Sequence, residues 1–283
     1  MKDYLALTKP RITWLILMST AVGWFFGLRG EWELLLLLHT LLGTGLLASG
    51  TAALNQWYER AEDARMRRTQ NRPIPAGRVS PNRALLFGLV LSATGFAELW
   101  LGANRLAAVL GFLTLASYLL LYTPLKKRSP VSTTVGAFPG AMPPLIGYAA
   151  SSGTLTAEAW ALAGILFLWQ FPHFLSIAWM YRADYERAGI RMLPVVEPDC
   201  RSTSRRILLY SLVLIPVSLA PASLSMTGRF YFIGALVLGL FYVYSGLRVM
   251  LDRTVLRARR VLLASVVYLP LLYGLMLLDR PGL

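Results

Sequence analysis

Apolar runs of about twenty residues recur along this chain, each long enough to cross the roughly 30 Å hydrocarbon core of a bilayer. Nine are legible: Ile12 to Leu28, Leu34 to Leu54, Ala84 to Ala103, Leu106 to Tyr122, Thr133 to Ala150, Ala159 to Met180, Ile207 to Met226, Tyr231 to Met250 and Arg260 to Leu278. The polar breaks between them are too short to hold a separate soluble domain. The pattern therefore predicts an all-α, polytopic membrane protein of about nine transmembrane helices, one domain over residues 1–283. The prolines between Phe138 and Pro144 and the polar stretch from Tyr122 to Thr133 are the least regular parts of it.

Composition agrees with the pattern. A mean hydropathy of +0.54, with 56% hydrophobic and only 15% charged residues, lies outside the range of soluble domains. The net charge of +14 would suggest nucleic acid in a soluble protein, but its distribution points elsewhere. With the N-terminus placed in the cytoplasm, the N-terminal segment, the loops after the second, fourth, sixth and eighth runs and the adjoining run ends at Arg248 and Arg260 hold every Lys and Arg except Arg29, Arg105, Arg229 and Arg280. That asymmetry is the positive-inside signature, so the expectation is N-in and C-out, with the lipid bilayer and no nucleic acid as partner. No Arg- and Ser-rich leader and no small-residue cleavage site follow Met1-Lys2-Asp3, which favours an uncleaved chain in the plasma (inner) membrane of a prokaryote. Cys200 is alone, which excludes an internal disulfide or a thiolate metal cluster.

The unusual chemistry sits in the loops of one side. After the second run, Asn55, Glu59 and Asp63 recur every four residues and would form one oxygen-bearing stripe if the helix continued. Arg65, Arg67, Arg68 and Arg72 follow, and then a Pro- and Gly-containing turn, Asn71 to Pro81. Carboxylates beside arginines suit a diphosphate held through Mg²⁺, which favours one or two carboxylates plus substrate phosphates. A solvated charged loop fits the same spacing equally well. A basic loop (Tyr122 to Arg128) and a second acid-base loop (Tyr181 to Gly189) would converge with the stripe if the helices close into a ring. Taken singly, the basic loop reads as topogenic and the second acidic loop as solvated.

Together these segments carry a resemblance that spacing alone does not. They are Leu7-Thr8-Lys9-Pro10-Arg11, Asn55-x-x-x-Glu59-x-x-x-Asp63-x-x-Met66-x-Arg68-Thr69, Asn71-Arg72-Pro73, Tyr122-Thr123-x-x-Lys126 and Gly140-Ala141-x-Pro143-Pro144-Leu145-Ile146-Gly147. Trp169-Gln170-x-Pro172-His173-Phe174 and Asp184-Tyr185-x-x-Ala188-Gly189-x-x-Met192-Leu193-Pro194 complete the set. The chain resembles the UbiA superfamily of intramembrane prenyltransferases over almost its whole length. Within it, the last two segments resemble the branch that farnesylates heme. Two departures stand out: Glu59 where the superfamily commonly has Asp, and Ala188 where the second motif often has a second Asp.

The resemblance implies a ring-like bundle and an enzyme that joins a farnesyl group from farnesyl diphosphate to a vinyl group of heme b. Asn55, Glu59, Asp63 and Asp184 would hold Mg²⁺. Arg11, Arg68, Arg72, Tyr122, Lys126 and Lys127 would bind the diphosphate, and Lys126 would join the acids in catalysis. The vinyl π bond attacks, so no nucleophilic side chain is needed. His173 falls about three turns before Asp184, roughly 16 Å along a helix axis, a depth that suits contact with heme. His39 belongs to no matched segment and is expected to be a packed or hydrogen-bonded core residue. Docking by a terminal oxidase or a heme A-forming enzyme stays open, as do a quinone precursor as acceptor and, in another class, a secondary transporter.

Overall fold

The computed structural model describes residues 1–281, so the last two residues of the expected domain lie outside it. The described chain is helical from end to end. A short α1 (Lys2–Leu7) leads into α2 (Pro10–Gly27), α3 (Leu34–Tyr58) and a one-turn α4 (Arg60–Arg65). After the proline turn come α5 (Pro81–Gly102), α6 (Arg105–Ala116) and a π-helical stretch over Ser117–Tyr122 that ends in α7 (Thr123–Leu125). The middle of the chain holds α8 (Ser132–Gly140), α9 (Met142–Ser152), α10 (Ala157–Met180), α11 (Arg182–Arg187) and α12 (Leu193–Val196). Three long helices finish it: α13 (Arg201–Ser223), α14 (Arg229–Leu251) and α15 (Val255–Leu278).

Seven of these segments are long and apolar enough to cross a membrane. They match seven of the nine expected spans. The first expected span is α2, which is only 18 residues long and gives its first turn to Pro10 and Arg11. The fifth is split into α8 and α9, so it is not one continuous helix. The physical reason is local: Pro139, Pro143 and Pro144 cannot donate backbone hydrogen bonds, and the helix stops and restarts at Ala141. Gln170 of α10 reaches into this break and donates to the Ala137 carbonyl at 2.8 Å. Burying such a joint needs a polar side chain from a neighbour, since no water competes for the bond in hydrocarbon.

Packing closes the bundle. α3 lies on α5, α2 on α9, α10 on α13 and α15, and α14 on both α13 and α15. The chain end returns to the first span, with the Tyr273 hydroxyl 3.5 Å from Ser19 and Arg280 donating to the Phe25 carbonyl at 3.0 Å. Small residues let the backbones approach, as expected where lipid removes the hydrophobic drive between helices. A Cβ at Gly147 would fall on the Thr20 carbonyl oxygen, and one at Gly23 on the Pro144 carbonyl oxygen. α10 is the most buried of the seven spans, with Ile165, Leu162 and Ala178 fully covered. Polar bonds stitch it to its neighbours: Trp169 Nε1 donates to the Ser265 carbonyl at 2.8 Å and the Tyr242 hydroxyl to the Trp169 carbonyl at 3.4 Å.

His39 is hydrogen-bonded as expected, but to a charge that the pattern reading passed over. Its Nδ1 lies 2.6 Å from Glu98 Oε1, which ties α3 to α5 at the end opposite the acidic loops.

Gly147→Val is expected to destabilise the fold by about 1–3 kcal/mol or more, because α2 and α9 cannot separate without losing their whole interface. The thermal midpoint in detergent should fall for this variant and hold for Gly30→Ala, whose added methyl meets nothing within 4 Å. Equal midpoints for the two would show that the close approach carries no stability.

Candidate active site

The acid stripe is nearly as the spacing suggests, with one modification. α3 ends at Tyr58 and α4 begins at Arg60, so Glu59 occupies the joint. The backbone still bonds Glu59 to the Asn55 carbonyl at 2.9 Å and Asp63 to the Glu59 carbonyl at 2.8 Å, which keeps the three side chains in register. All three are buried. Carboxylates at such a place must be paired, because leaving a buried charge alone is costly.

Each is paired, and each partner comes from a different segment. Lys126 Nζ donates to Glu59 Oε1 at 2.7 Å from the loop after α7. Arg72 Nη1 donates to both oxygens of Asp63, at 2.8 and 2.7 Å. Lys9 Nζ donates to Asn55 Oδ1 at 2.9 Å. Asp184 accepts from Arg187 and from the Arg68 backbone N–H, the latter at 3.2 Å. The loops are further joined by the Arg191 N–H, which donates to the Lys126 carbonyl at 2.8 Å. The three loops expected to meet therefore do meet, at the same end of the bundle.

Electrostatics follows from this pairing. Burial pushes the Glu59 carboxyl up, but the charge and hydrogen bond of Lys126, aided by Lys9, outweigh it and hold it below the usual range. Burial likewise pulls Lys126 down, yet the Glu59 carboxylate holds it well above the ordinary lysine value. The pair is ionised. Lys9 differs. Burial, reinforced by the Arg72 charge, lowers its ammonium to about 7, so it is poised to gain or lose a proton near neutrality. Its backbone is also unusual: φ is 49°, a left-handed conformation rare outside glycine and disfavoured before a proline. It is over-determined by its surroundings. Gln56 donates to the Leu7 carbonyl at 2.8 Å, and Leu7 packs with Ala53, Ile74, Val79 and Ala84 in a small core of its own.

The other sequence-named residues fall into place unevenly. Arg11 is exposed rather than turned toward the stripe, since Pro10 starts α2 and directs Lys9 inward instead. Lys127 pairs with Glu62, a buried acid the motif reading did not use, whose Oε2 has no partner. Tyr122 places its ring 4.4 Å from the Lys126 ammonium. Tyr122 closes the π-helical stretch, a turn type often found at functional sites. Arg68 stacks over Tyr181 and Tyr185, at 5.1 and 5.3 Å, and donates to the Tyr185 hydroxyl at 3.1 Å. Only its backbone touches the acids.

The donor set suits Mg²⁺: carboxylate and amide oxygens, with no sulfur or imidazole among them. Among the described residues no three His, Cys, Asp or Glu side chains close on a metal by themselves. Glu59, Asp63 and Asp184 therefore form no ready-made three-carboxylate cage, and substrate phosphates would have to complete the shell of a Mg²⁺ ion.

Deeper in the bundle, His173 of α10 stacks on Trp169 with ring centroids 4.9 Å apart. Its Nδ1 is 2.8 Å from Ser265 Oγ. The same hydroxyl lies 2.6 Å from the Leu262 carbonyl. No sequence signal marked Ser265, which lies 92 residues away in an apolar run.

Comparison with known proteins places this geometry. The UbiA prenyltransferase family matches residues 16–271. A protein of Solibacter usitatus (strain Ellin6076) named protoheme IX farnesyltransferase is 66% identical over the full length of both chains. One of the same name from Koribacter versatilis (strain Ellin345) is 50% identical, covering 99% of this chain and 94% of its own. Among solved structures, a digeranylgeranylglyceryl phosphate synthase superposes with a TM-score of 0.83 at 16% identity, covering 100% of this chain and 99% of its own. A UbiA homolog from Archaeoglobus fulgidus bound to GPP and Mg²⁺ superposes at 0.69 and 17% identity, covering 97% and 99%. At these identities the two structures establish the fold.

Lys126→Met should lower stability by about 1.5–3 kcal/mol, since Glu59 would be left buried without its charged hydrogen bond. Adding Glu59→Gln to that variant should recover most of the loss. Thermal unfolding of the two single variants and the double variant in detergent measures the coupling, and strictly additive effects would mean that the two side chains do not depend on each other.

Proposed function

We propose that this chain, which belongs to the UbiA prenyltransferase family, transfers a farnesyl group from farnesyl diphosphate to a vinyl group of heme b, giving heme O and diphosphate. The observation that carries this reading is the end-to-end 66% identity with a protein named for that activity. The paired acids and bases at one end of the bundle supply a chemical reason for it.

The reaction breaks the C1–O bond of the donor. Diphosphate leaves with the electron pair, and an allylic cation remains. The vinyl π electrons then form the new carbon–carbon bond, and the cation left on the vinyl carbon takes up water, which loses a proton. What needs stabilising is the charge on the departing diphosphate. Arg72, Lys126 and Lys9 are placed to do this, with Lys127 behind them, in a buried setting where fixed charges act strongly. Binding replaces the acids as partners of these bases and frees carboxylate oxygens. Asn55, Glu59, Asp63 and Asp184 would hold Mg²⁺, which supplies Lewis-acid neutralisation of the leaving group. Tyr122, with its ring beside Lys126, borders the same space.

His173 is the residue assigned to heme. A ring held by Ser265 and Trp169 is oriented to meet iron, which neutral imidazole commonly ligates. The charged end of the bundle is assigned to the cytoplasmic side of a prokaryotic plasma membrane, following the distribution of Lys and Arg. The direct test incubates purified protein with heme b, farnesyl diphosphate and Mg²⁺ and looks by mass for hydroxyethylfarnesyl heme. Absence of that product, with release of diphosphate onto another acceptor, would overturn the assignment.

Glu59→Gln and Asp63→Asn are each expected to remove most turnover while the protein stays folded, since both are near-isosteric and change only charge. Activity close to that of the unaltered protein at saturating Mg²⁺ would take that residue out of the site.

The Lys9 value gives a pH prediction. Below about pH 7 the lysine is protonated whether the site is free or filled. A bound diphosphate raises its pKa, so above pH 7 binding must draw in a proton, and affinity should fall with rising pH by up to about tenfold per unit. Calorimetry at pH 8 in buffers of different ionisation enthalpy should register this proton uptake. Lys9→Met should abolish it, and uptake unchanged in that variant would assign the proton to another group.

A further inference from the structure

Beside the paired acids lies a cleft of about 460 Å³, lined by Arg67, Arg68, Met180, Tyr181, Ala183 and Asp184. Asp184, one of the residues that would hold Mg²⁺, forms part of its wall, while Lys9, Arg72 and Lys126 do not line it. We propose that this cleft takes the two propionate carboxylates of heme b, with Arg67 and Arg68 as the residues that bind them. The inference rests on heme b being the acceptor.

Three features of the cleft support it. The first is charge. The carboxylate of Asp184 is engaged by Arg187 and by the backbone N–H of Arg68, so it does not cancel the two guanidinium groups at the mouth. Arg67 is exposed and forms no ion pair among the described residues. The second is preorganisation. Arg68 is fixed by two tyrosine rings and the Tyr185 hydroxyl, which leaves its planar fork less entropy to lose on meeting a carboxylate. Guanidinium pairs with carboxylate through two parallel hydrogen bonds, a match a point charge does not offer.

The third is what lies below. Met180 forms part of the cleft wall, and His173 precedes it on α10 by seven residues, which is two turns on the same helix face and roughly 10 Å along the axis. A flat apolar macrocycle with two carboxylates on one edge fits that arrangement. Its charged edge would stay at the wet mouth, and its vinyl-bearing edge would point into the bundle, its iron at the level of His173. A prenyl diphosphate carries its charge on a flexible chain end and does not need a cationic mouth separate from its own site.

The test compares heme b with its dimethyl ester, which keeps the macrocycle and removes both charges. Each is titrated into the full chain in detergent and followed by the Soret band, with farnesyl diphosphate affinity measured alongside. The unaltered protein should bind heme b at least about tenfold more tightly than the ester, the lower range for one charged hydrogen bond. Arg67→Gln should lose about tenfold toward heme b, with affinity for the ester and for farnesyl diphosphate unchanged. Arg67→Lys should recover part of the loss. Equal affinity of the unaltered protein for acid and ester, or equal weakening of both by Arg67→Gln, would overturn the cleft assignment and leave heme b as acceptor. Loss of farnesyl diphosphate affinity instead would give the cleft to the donor. Binding of neither porphyrin would overturn the acceptor reading itself.

Discussion

The structure depends on how carboxylates are kept charged at the edge of an apolar bundle. Glu59 and Asp63 are buried, and neither has enough water to stay ionised alone. Lys126 and Arg72 meet that need, and in doing so they hold the loop after α7 and the proline turn against the end of α3. Lys9 does the same for the start of the chain through Asn55. The contacts that make the site electrically tolerable are thus the contacts that assemble it. On the proposed reading, a diphosphate anion entering here would meet cations already gathered and oriented, and would displace partners rather than recruit them.

Helix α10 relates this charged end to the interior. Its bonds run to both sides: Gln170 satisfies the break between α8 and α9, while Trp169 and His173 reach the backbone and side chain of Ser265 on α15. The proline break would otherwise leave backbone groups unpaired in a place that cannot supply water. The short run from Trp169 to His173 therefore supports a discontinuous span, locks one helix to another and orients a histidine ring.

Much of this was legible from residues alone, for identifiable reasons. The long spans follow from apolar length, which has few alternatives in a bilayer. The stripe of Asn55, Glu59 and Asp63 follows from a period of four that survives the joint at Glu59 because the backbone bonds continue through it. What was not legible is equally physical. Arg11, which the resemblance names for the diphosphate, is exposed, while the proline-initiated helix and the left-handed residue before it turn Lys9 inward. The split into α8 and α9 was written in the prolines, yet hydropathy averages over it. Glu98 and Ser265 were missed since each is a single polar residue in an apolar run, and only its partner, His39 or His173, gives it meaning.

The Ser265 contact also orders events in time. Every ion pair of the acid cluster is made by residues no later than Arg187, before α13 to α15 have been synthesised. His173 gains its partner only when α15 arrives. The contacts of the charged end thus all lie ahead of the last three spans in the sequence, whereas the imidazole depends on the final one.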